Sequence, residues 1–100
     1  MPSDYWFVYI LKSLSKKFLY IGSTNSLERR FIEHNSGFVQ STKAFRPLKI
    51  IAFIGVETEQ QARDLERYLK TGSGKAILKK RIIQRYDESF SKRSSDSIGT

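Results

Sequence analysis

The amino-acid sequence predicts an α+β domain in which helices pack on a three-stranded, largely antiparallel sheet. Two short apolar runs separated by a polar loop indicate a hairpin, and a third apolar run follows later in the chain. Between and after these runs, residues that favour helix starts are followed by apolar residues at helical spacing. The predicted order is strand, strand, helix, strand, helix, helix, and the order of the strands within the sheet stays open.

The predicted hairpin places two tyrosines on neighbouring strands. Its strands are residues 6–11 and 18–21, and residues 12–17 form the connecting loop. A register that sets Tyr9 roughly opposite Tyr20 projects both phenols from one face of the sheet. A slip of one residue would put them on opposite faces, so the shared face is an inference from the pattern.

The first helix is predicted to follow the hairpin directly. Asn25 can cap it, the helix then begins at Ser26, and Glu28 occupies the third helical position, where it can complete a capping box. Gly37 ends the helix near Asn35. The chain therefore delivers this helix to the sheet immediately after the second strand.

Arginine and histidine side chains occupy consecutive turns of this first helix. Arg30 and His34 stand four residues apart, beside a face that carries Leu27 and Phe31. Together with the two tyrosines they form a set that suits a phosphodiester. For His34 a second interpretation stays open, because a lone histidine on an exposed helical face is usually only solvated.

The third strand, residues 50–56, is apolar at nearly every position, which is typical of a strand covered on both faces. Helices are therefore expected on both sides of the sheet. The next helix begins at Thr58, with Gln61 completing a capping box. Its apolar stripe consists of Ala62, Leu65 and Leu69.

A carboxylate interrupts this apolar stripe. Glu66 lies four residues after Ala62 and three before Leu69, so it is predicted to project toward the sheet. Burying an unpaired charge costs several kcal/mol, and Glu66 therefore requires a cation. Both a divalent metal ion and a basic side chain would serve, and the pattern does not choose between them.

A glycine-rich turn, residues 71–74, is predicted to end this helix and open the last one at Ser73. Its amides could hold a phosphate, although such turns more often only connect helices. The domain is predicted to span residues 1–86, and the serine-rich tail, residues 87–100, to be disordered. The apolar positions of the last helix are Ile77, Leu78, Ile82, Ile83 and Tyr86.

Composition narrows the classes of function. The chain has 100 residues, no cysteine and one histidine, which indicates a single domain and excludes disulfides, thiolate sites and multi-histidine metal sites. No apolar run is long enough for a signal peptide or a membrane span, so a cytoplasmic protein without a membrane partner is expected. A protein partner stays open.

The net charge of +8 favours a polyanionic partner, with solubility as the simpler explanation of a basic surface. The loop at residues 37–47 has few apolar anchors and could contact phosphates, and many of the other cations lie late in the chain. The residues predicted to bind nucleic acid are Lys43, Arg46, Lys70, Lys75, Lys79 and Lys80.

Two tripeptides and an arginine follow one another at a defined spacing. Tyr9 ends a Phe-Val-Tyr tripeptide, a Tyr-Ile-Gly tripeptide begins eleven residues later at Tyr20, and Arg30 follows ten residues after that. This motif order resembles the GIY-YIG nuclease superfamily: the second tripeptide matches the family name, whereas the first keeps only its tyrosine. Small single-domain members are similar along most of the chain, through N-S-L-E-R-R-F-I-E-H-N and L-E-R-Y-L-K-T-G-S-G-K, over about residues 5 to 82.

The resemblance implies a small endonuclease that hydrolyses DNA phosphodiester bonds with one Mg²⁺ or Mn²⁺ ion, similar to the nuclease domain of the excision-repair incision subunit. By the same resemblance, Tyr9 would activate the attacking water, Tyr20 would orient the phosphate and Arg30 would stabilise the transition state. Glu66 would bind the metal, and His34 is a candidate assistant. The competing hypotheses are a non-catalytic nucleic-acid-binding module on the same fold and a protein-interaction module.

Overall fold

The computed structural model describes residues 4–82 and confirms the predicted α+β architecture, with an antiparallel sheet in the order β2-β1-β3. No helix within this range is long and apolar enough to cross a membrane. The predicted helical residues 83–86 and the predicted tail, residues 87–100, lie outside the described residues. The strands are β1 (Trp6–Ser13), β2 (Leu19–Thr24) and β3 (Leu48–Val56); the helices are α1 (Leu27–Asn35), α2 (Glu59–Leu69) and α3 (Gly72–Ile77), with a 3-10 turn at Lys43–Phe45 and a π-helical turn at Leu78–Ile82.

β1 is the strand that is covered on both faces. It pairs with both other strands, and its residues from Phe7 to Leu11 are all buried. The prediction that β3 is covered on both faces is wrong, because β3 lies at an edge of the sheet and leaves Phe53 48% and Ile54 37% exposed. A run of apolar residues shows that a strand is hydrophobic, but it does not show whether the strand lies at the centre or at an edge of the sheet.

Alternation along β1 builds one apolar core on each side of the sheet. Val8 and Ile10 face α2, where they pack with Ala62 and Leu69 and with Leu78 of the π-helical turn. Tyr9 and Leu11 face the other way and pack with residues of α1 and with the start of β3. The two cores therefore place α1 on the tyrosine face and α2 on the opposite face.

The register of the hairpin confirms that both tyrosines share a face. Tyr9 pairs with Gly22 and Leu11 pairs with Tyr20, so the two phenols are diagonal neighbours rather than directly opposite. Their ring centroids are 6.3 Å apart. The offset of two residues preserves the face because side chains alternate with a period of two.

The start of α1 differs from the prediction. Ser26 is the N-cap and accepts a hydrogen bond from the backbone N–H of Arg29 at 3.4 Å, so the first helical residue is Leu27. Glu28 is then the second helical residue, and the capping box predicted there is wrong. The Asn25 side chain instead accepts a hydrogen bond from the Arg29 guanidinium at 2.9 Å. Asparagine and serine are both good caps, and local pattern did not choose between them.

The capping box predicted for α2 is present, since Thr58 and Gln61 exchange side-chain to backbone hydrogen bonds. The end of α2 packs tightly against α3, which starts at Gly72. A β-carbon on Gly74 would overlap the backbone carbonyl oxygen of Tyr68. Gly74 is therefore required by the close approach of the two helices.

Gly74→Ala is expected to lower the free energy of unfolding by about 2 kcal/mol or more, because the added methyl group must push α3 away from α2. Gly72→Ala is the matched control, since no atom lies within 4 Å of the added carbon there, and it should change stability by less than about 0.5 kcal/mol. Urea unfolding monitored by circular dichroism measures both. Equal stability of the two variants would show that the helices do not meet as described.

Candidate active site

Three aromatic rings cluster on the α1 face of the sheet. The His34 ring centroid lies 5.7 Å from that of Tyr9 and 5.0 Å from that of Tyr20. His34 is 0% exposed and Tyr9 is 2% exposed. The interpretation of His34 as a solvated surface histidine is therefore wrong, because its face of α1 is the face that covers the tyrosines.

Hydrogen bonds join this cluster to the loop before β3. The Tyr9 hydroxyl lies 2.9 Å from His34 Nε2, and His34 Nδ1 lies 2.8 Å from the Thr42 hydroxyl. All three side chains are buried. This series of hydrogen bonds connects the central strand, α1 and the connecting loop through buried side chains.

Gly22 lies directly beneath the two phenols. A β-carbon at this position would stand 2.6 Å from the Tyr9 hydroxyl oxygen and 2.9 Å from a ring carbon of Tyr20. Any side chain there would displace Tyr9 from its partner His34. The glycine of the Tyr-Ile-Gly tripeptide is thus required by the close packing of the tyrosines.

Arg30 lies one helical turn before His34, at the rim of the cluster. Its guanidinium donates to a Glu33 carboxylate oxygen at 2.9 Å, and its side chain is 33% exposed. The Glu33 hydrogen bond is the largest cause that raises the pKa of Arg30, and interactions with Tyr9 and Tyr20 also raise it. A permanent cation with several donor groups therefore lies between solvent and the tyrosines.

The site pushes the pKa values of Tyr9 and His34 apart. Burial, followed by the charge of Tyr20, raises the pKa of Tyr9 to about 12, although hydrogen bonding from Arg30 opposes this. Burial, followed by the charge of Arg30, lowers the pKa of His34 to about 4. At neutral pH the pair is consequently an uncharged phenol beside an uncharged imidazole.

Glu66 approaches the site from the opposite face of the sheet. One of its carboxylate oxygens accepts a hydrogen bond from the Ser23 hydroxyl at 2.6 Å, and the other accepts one from the Lys70 ammonium at 2.8 Å. Its side chain is 22% exposed. The predicted inward carboxylate with a basic partner is present, and its hydrogen bond to Ser23, the β2 residue next to Gly22, joins it to the sheet.

The surroundings of Glu66 fit a divalent ion that keeps much of its water shell. Within residues 4–82 no group of three or more histidine, cysteine or acidic side chains converges to hold a metal. Glu66 supplies two carboxylate oxygens and Ser23 a hydroxyl oxygen next to them. Mg²⁺ is commonly held by one or two carboxylates, with waters and phosphate oxygens completing its octahedral shell.

The predicted nucleic-acid-binding residues lie in separate regions. Lys43 and Arg46 are exposed in the loop before β3, where Arg46 donates to the Lys43 carbonyl at 2.9 Å. Lys70 is paired with Glu66. The other three lie on α3 and its π-helical extension, which pack on the face opposite the tyrosines: Lys75, Lys79 and Lys80.

Three polar residues that shape this region carry no signal at the level of sequence. Thr42 bonds to His34 from eight residues away, across an irregular loop. Asn35 forms two hydrogen bonds with the backbone of β3. Its side-chain oxygen accepts from the Leu48 N–H at 2.7 Å, and its side-chain amide donates to the Leu48 carbonyl at 2.9 Å. The Ser23 hydroxyl donates to Glu66, which lies 43 residues away in the sequence. Their roles depend on tertiary contacts that no periodicity encodes.

Acidification is expected to destabilise the fold through His34. Between about pH 6.5 and about pH 4 the unfolded chain binds a proton at this imidazole that the native protein does not bind. The free energy of unfolding should therefore fall as pH drops through this window, by about 3 kcal/mol in total. Urea unfolding against pH measures this component, which His34→Gln should lack. Parallel pH profiles for the two proteins would contradict a buried, neutral His34.

Sequence comparison with known proteins places this chain in a family. The sequence model of the GIY-YIG catalytic domain matches residues 5–89. A UPF0213 protein of Clostridium perfringens is 38% identical over 65 residues, which cover 64% of this chain and 69% of that protein. A UPF0213 protein of Listeria monocytogenes is 38% identical over 84 residues, or 83% of this chain and 91% of the relative.

A third relative, the UPF0213 protein of Haloquadratum walsbyi, is 34% identical over 70 residues, which cover 69% of this chain and 78% of the relative. The matched region includes both tyrosines, the glycine beneath them and Arg30. The chain belongs to the GIY-YIG family of catalytic domains, which is a nuclease family.

Proposed function

We propose that this protein is a metal-dependent DNA endonuclease that hydrolyses phosphodiester bonds, acting in DNA repair or processing in the cytoplasm. The observation that carries the proposal is the buried hydrogen bond between the Tyr9 hydroxyl and His34 beside the Arg30 cation. A phenol that is held by an imidazole and faces a guanidinium is suited to handle a proton next to a phosphate. Simple binding to DNA requires cations but no such pair.

Arg30 and Tyr20 are proposed to hold the phosphate. The Arg30 guanidinium has five N–H donors, and its contact with Glu33 leaves others to grip phosphate oxygens. As phosphorus is attacked, negative charge grows on those oxygens, and a fixed cation stabilises it. Tyr20 is only partly buried and lies beside Tyr9, so its hydroxyl is proposed to orient the same phosphate.

Tyr9 is proposed to accept a proton from the attacking water. Lowering its pKa from about 12 to about 7 would require roughly 7 kcal/mol of differential stabilisation. The lowering effect of Arg30 is already contained in the value of about 12, so the further stabilisation must come from another group. A cation held near Glu66 would supply part of it, because the negative charge of Glu66 raises the pKa of Tyr9. A phenolate in the resting site is therefore excluded by its energy, and activation belongs to the loaded complex.

Glu66 and Ser23 are proposed to hold Mg²⁺ or Mn²⁺, which when bound would neutralise charge on the transferred phosphate. Lys70 must then leave its carboxylate oxygen or share it with the ion. Because β2 is an edge strand, a phosphate at this edge is proposed to contact Arg30 on one face of the sheet and the ion at Glu66 on the other. The DNA itself is proposed to lie across the basic surfaces of the protein.

One observation favours a second candidate function, a nucleic-acid-binding module without catalysis. The Lys70 ammonium already neutralises Glu66 at 2.8 Å, so the carboxylate is satisfied without a metal ion. Such a protein would bind DNA equally well in a chelator. The two candidates differ in whether Glu66 matters for cleavage or only for the local fold.

Glu66→Gln should reduce cleavage of plasmid DNA in Mg²⁺ by about 100-fold or more, because the amide keeps the size of the side chain but loses the charge that binds the ion. Binding to DNA should change little. Glu59→Gln is the matched control, since Glu59 is exposed on the same helix and forms an ion pair with Arg63. Undiminished cleavage by Glu66→Gln would reject the metal role, and a parent that never cleaves would favour the binding module.

DNA affinity is expected to fall steeply with salt, with a slope of log affinity against log salt of about −0.9 for each phosphate contact on duplex DNA. Replacing Lys75, Lys79 and Lys80 together with glutamine should make this slope shallower by about 2 to 3. The control replaces Arg63 and Arg67, whose charges are already paired with acidic neighbours on α2. Fluorescence anisotropy measures both slopes. Equal slopes would remove the lysine surface from the DNA interface.

A further inference from the structure

Thr42 occupies a buried, well-anchored position next to His34. It is 0% exposed, its backbone N–H donates to the Val39 carbonyl at 3.1 Å, and its own carbonyl accepts from the Phe45 N–H at 2.9 Å. Phe45 stacks on Phe18 with centroids 3.7 Å apart. The loop is thus tied to the hairpin, and the Thr42 hydroxyl is held in a defined position against the imidazole.

The surroundings of the Tyr9 hydroxyl determine which way its hydrogen bond runs. The nearby Arg30 guanidinium lowers the pKa of Tyr9, but a guanidinium has no lone pair with which to accept the phenol proton. Among the contacts of the described residues, His34 Nε2 is then the acceptor that remains for the Tyr9 proton. If Nε2 carried a proton instead, a buried phenol O–H would be left without a partner, which is costly.

The same direction also satisfies the hydrogen bond between His34 and Thr42. With Nε2 unprotonated, the imidazole proton lies on Nδ1 and is donated to the Thr42 oxygen at 2.8 Å. The Thr42 hydroxyl can then donate its own proton to the Val39 carbonyl at 3.4 Å. Each of the three buried protons has an acceptor in this arrangement, and the reverse arrangement leaves one without.

We propose that Thr42 is a positioning residue that fixes His34 in the Nδ1–H tautomer, so that Nε2 stands ready to take the proton of Tyr9. The inference rests on the proposed function, in which Tyr9 accepts a proton from the attacking water. It adds the group that receives the proton Tyr9 already carries, and it makes the loop between α1 and β3 part of the active site.

The proton movements balance as a relay. As an O–H bond of the water breaks, its proton bonds to the Tyr9 oxygen, and the original Tyr9 proton passes to His34 Nε2. The hydroxide forms a bond to phosphorus while the bond from phosphorus to the leaving oxygen breaks, and the leaving oxygen takes a proton from solvent. His34 becomes an imidazolium and returns its extra proton to solvent through Tyr9 after the product leaves.

The tautomer can be observed directly, because His34 is the single histidine of the chain. In uniformly ¹⁵N-labelled protein, two ring-nitrogen signals report which nitrogen carries the proton at neutral pH. The parent should show a protonated Nδ1 and an unprotonated Nε2. The opposite assignment in the parent would overturn the proposal, whether or not the protein cleaves DNA.

Variants of Thr42 separate positioning from simple support of the fold. Thr42→Val keeps the shape but removes the acceptor for Nδ1–H, and it should populate the Nε2–H tautomer and slow single-turnover cleavage by about tenfold or more. Thr42→Ser keeps the hydroxyl and should retain the parental tautomer and rate. Thr24→Val, which removes a different buried hydroxyl, should leave both unchanged.

The outcomes distinguish this inference from the proposed function. A parental tautomer and rate in Thr42→Val would overturn the positioning role even if the protein is a nuclease. A changed tautomer in Thr42→Val, in a protein that cleaves no DNA under any metal condition, would uphold the role of Thr42 while rejecting the proposed function. If Thr24→Val also lost the parental tautomer, the effect of Thr42 would be a general effect on the fold rather than a specific one on His34, and the proposal would be overturned.

Discussion

The buried hydroxyl of Tyr9 is the constraint on which the rest of the site depends. The phenol lies on the central strand of the sheet, and a polar group so deep is costly unless it is hydrogen-bonded. His34 provides that bond. The bond requires α1 to pack against the sheet in a single position, with His34 turned toward the central strand. Asn35 secures this position through its hydrogen bond to the β3 backbone, and Gly22 leaves room for the phenol. The positions of the hairpin, α1 and the loop before β3 therefore all depend on the hydrogen bond between Tyr9 and His34.

Charge is placed around this uncharged centre rather than within it. Arg30 lies at the rim on the tyrosine face, and Glu66 lies on the other face of β2. A phosphate bound at the β2 edge would meet a cation from one side and, from the other, the carboxylate that is proposed to bind the metal ion. The interior pair would stay neutral until substrate and ion change its electrostatics, which is consistent with the separated pKa values of Tyr9 and His34.

Sequence pattern predicted the features that depend on local periodicity. The shared face of the tyrosines, the capping box at Thr58 and the inward position of Glu66 follow from residues close together in the chain. The burial of His34 and the role of Thr42 did not follow, because both depend on how a helix and a loop dock onto the sheet. The edge position of β3 was missed for the same reason, since hydrophobicity along a strand does not encode its neighbours.

The central claim is that Tyr9 and His34 act as one unit in metal-dependent hydrolysis of DNA. A double-mutant cycle in single-turnover cleavage with Mg²⁺ tests it, using Tyr9→Phe, His34→Gln and the combined variant. If the two side chains share one proton pathway, each single variant should lose about 100-fold in rate and the combined variant little more than either. Losses that multiply in the combined variant, or a parental rate in either single variant, would contradict the claim.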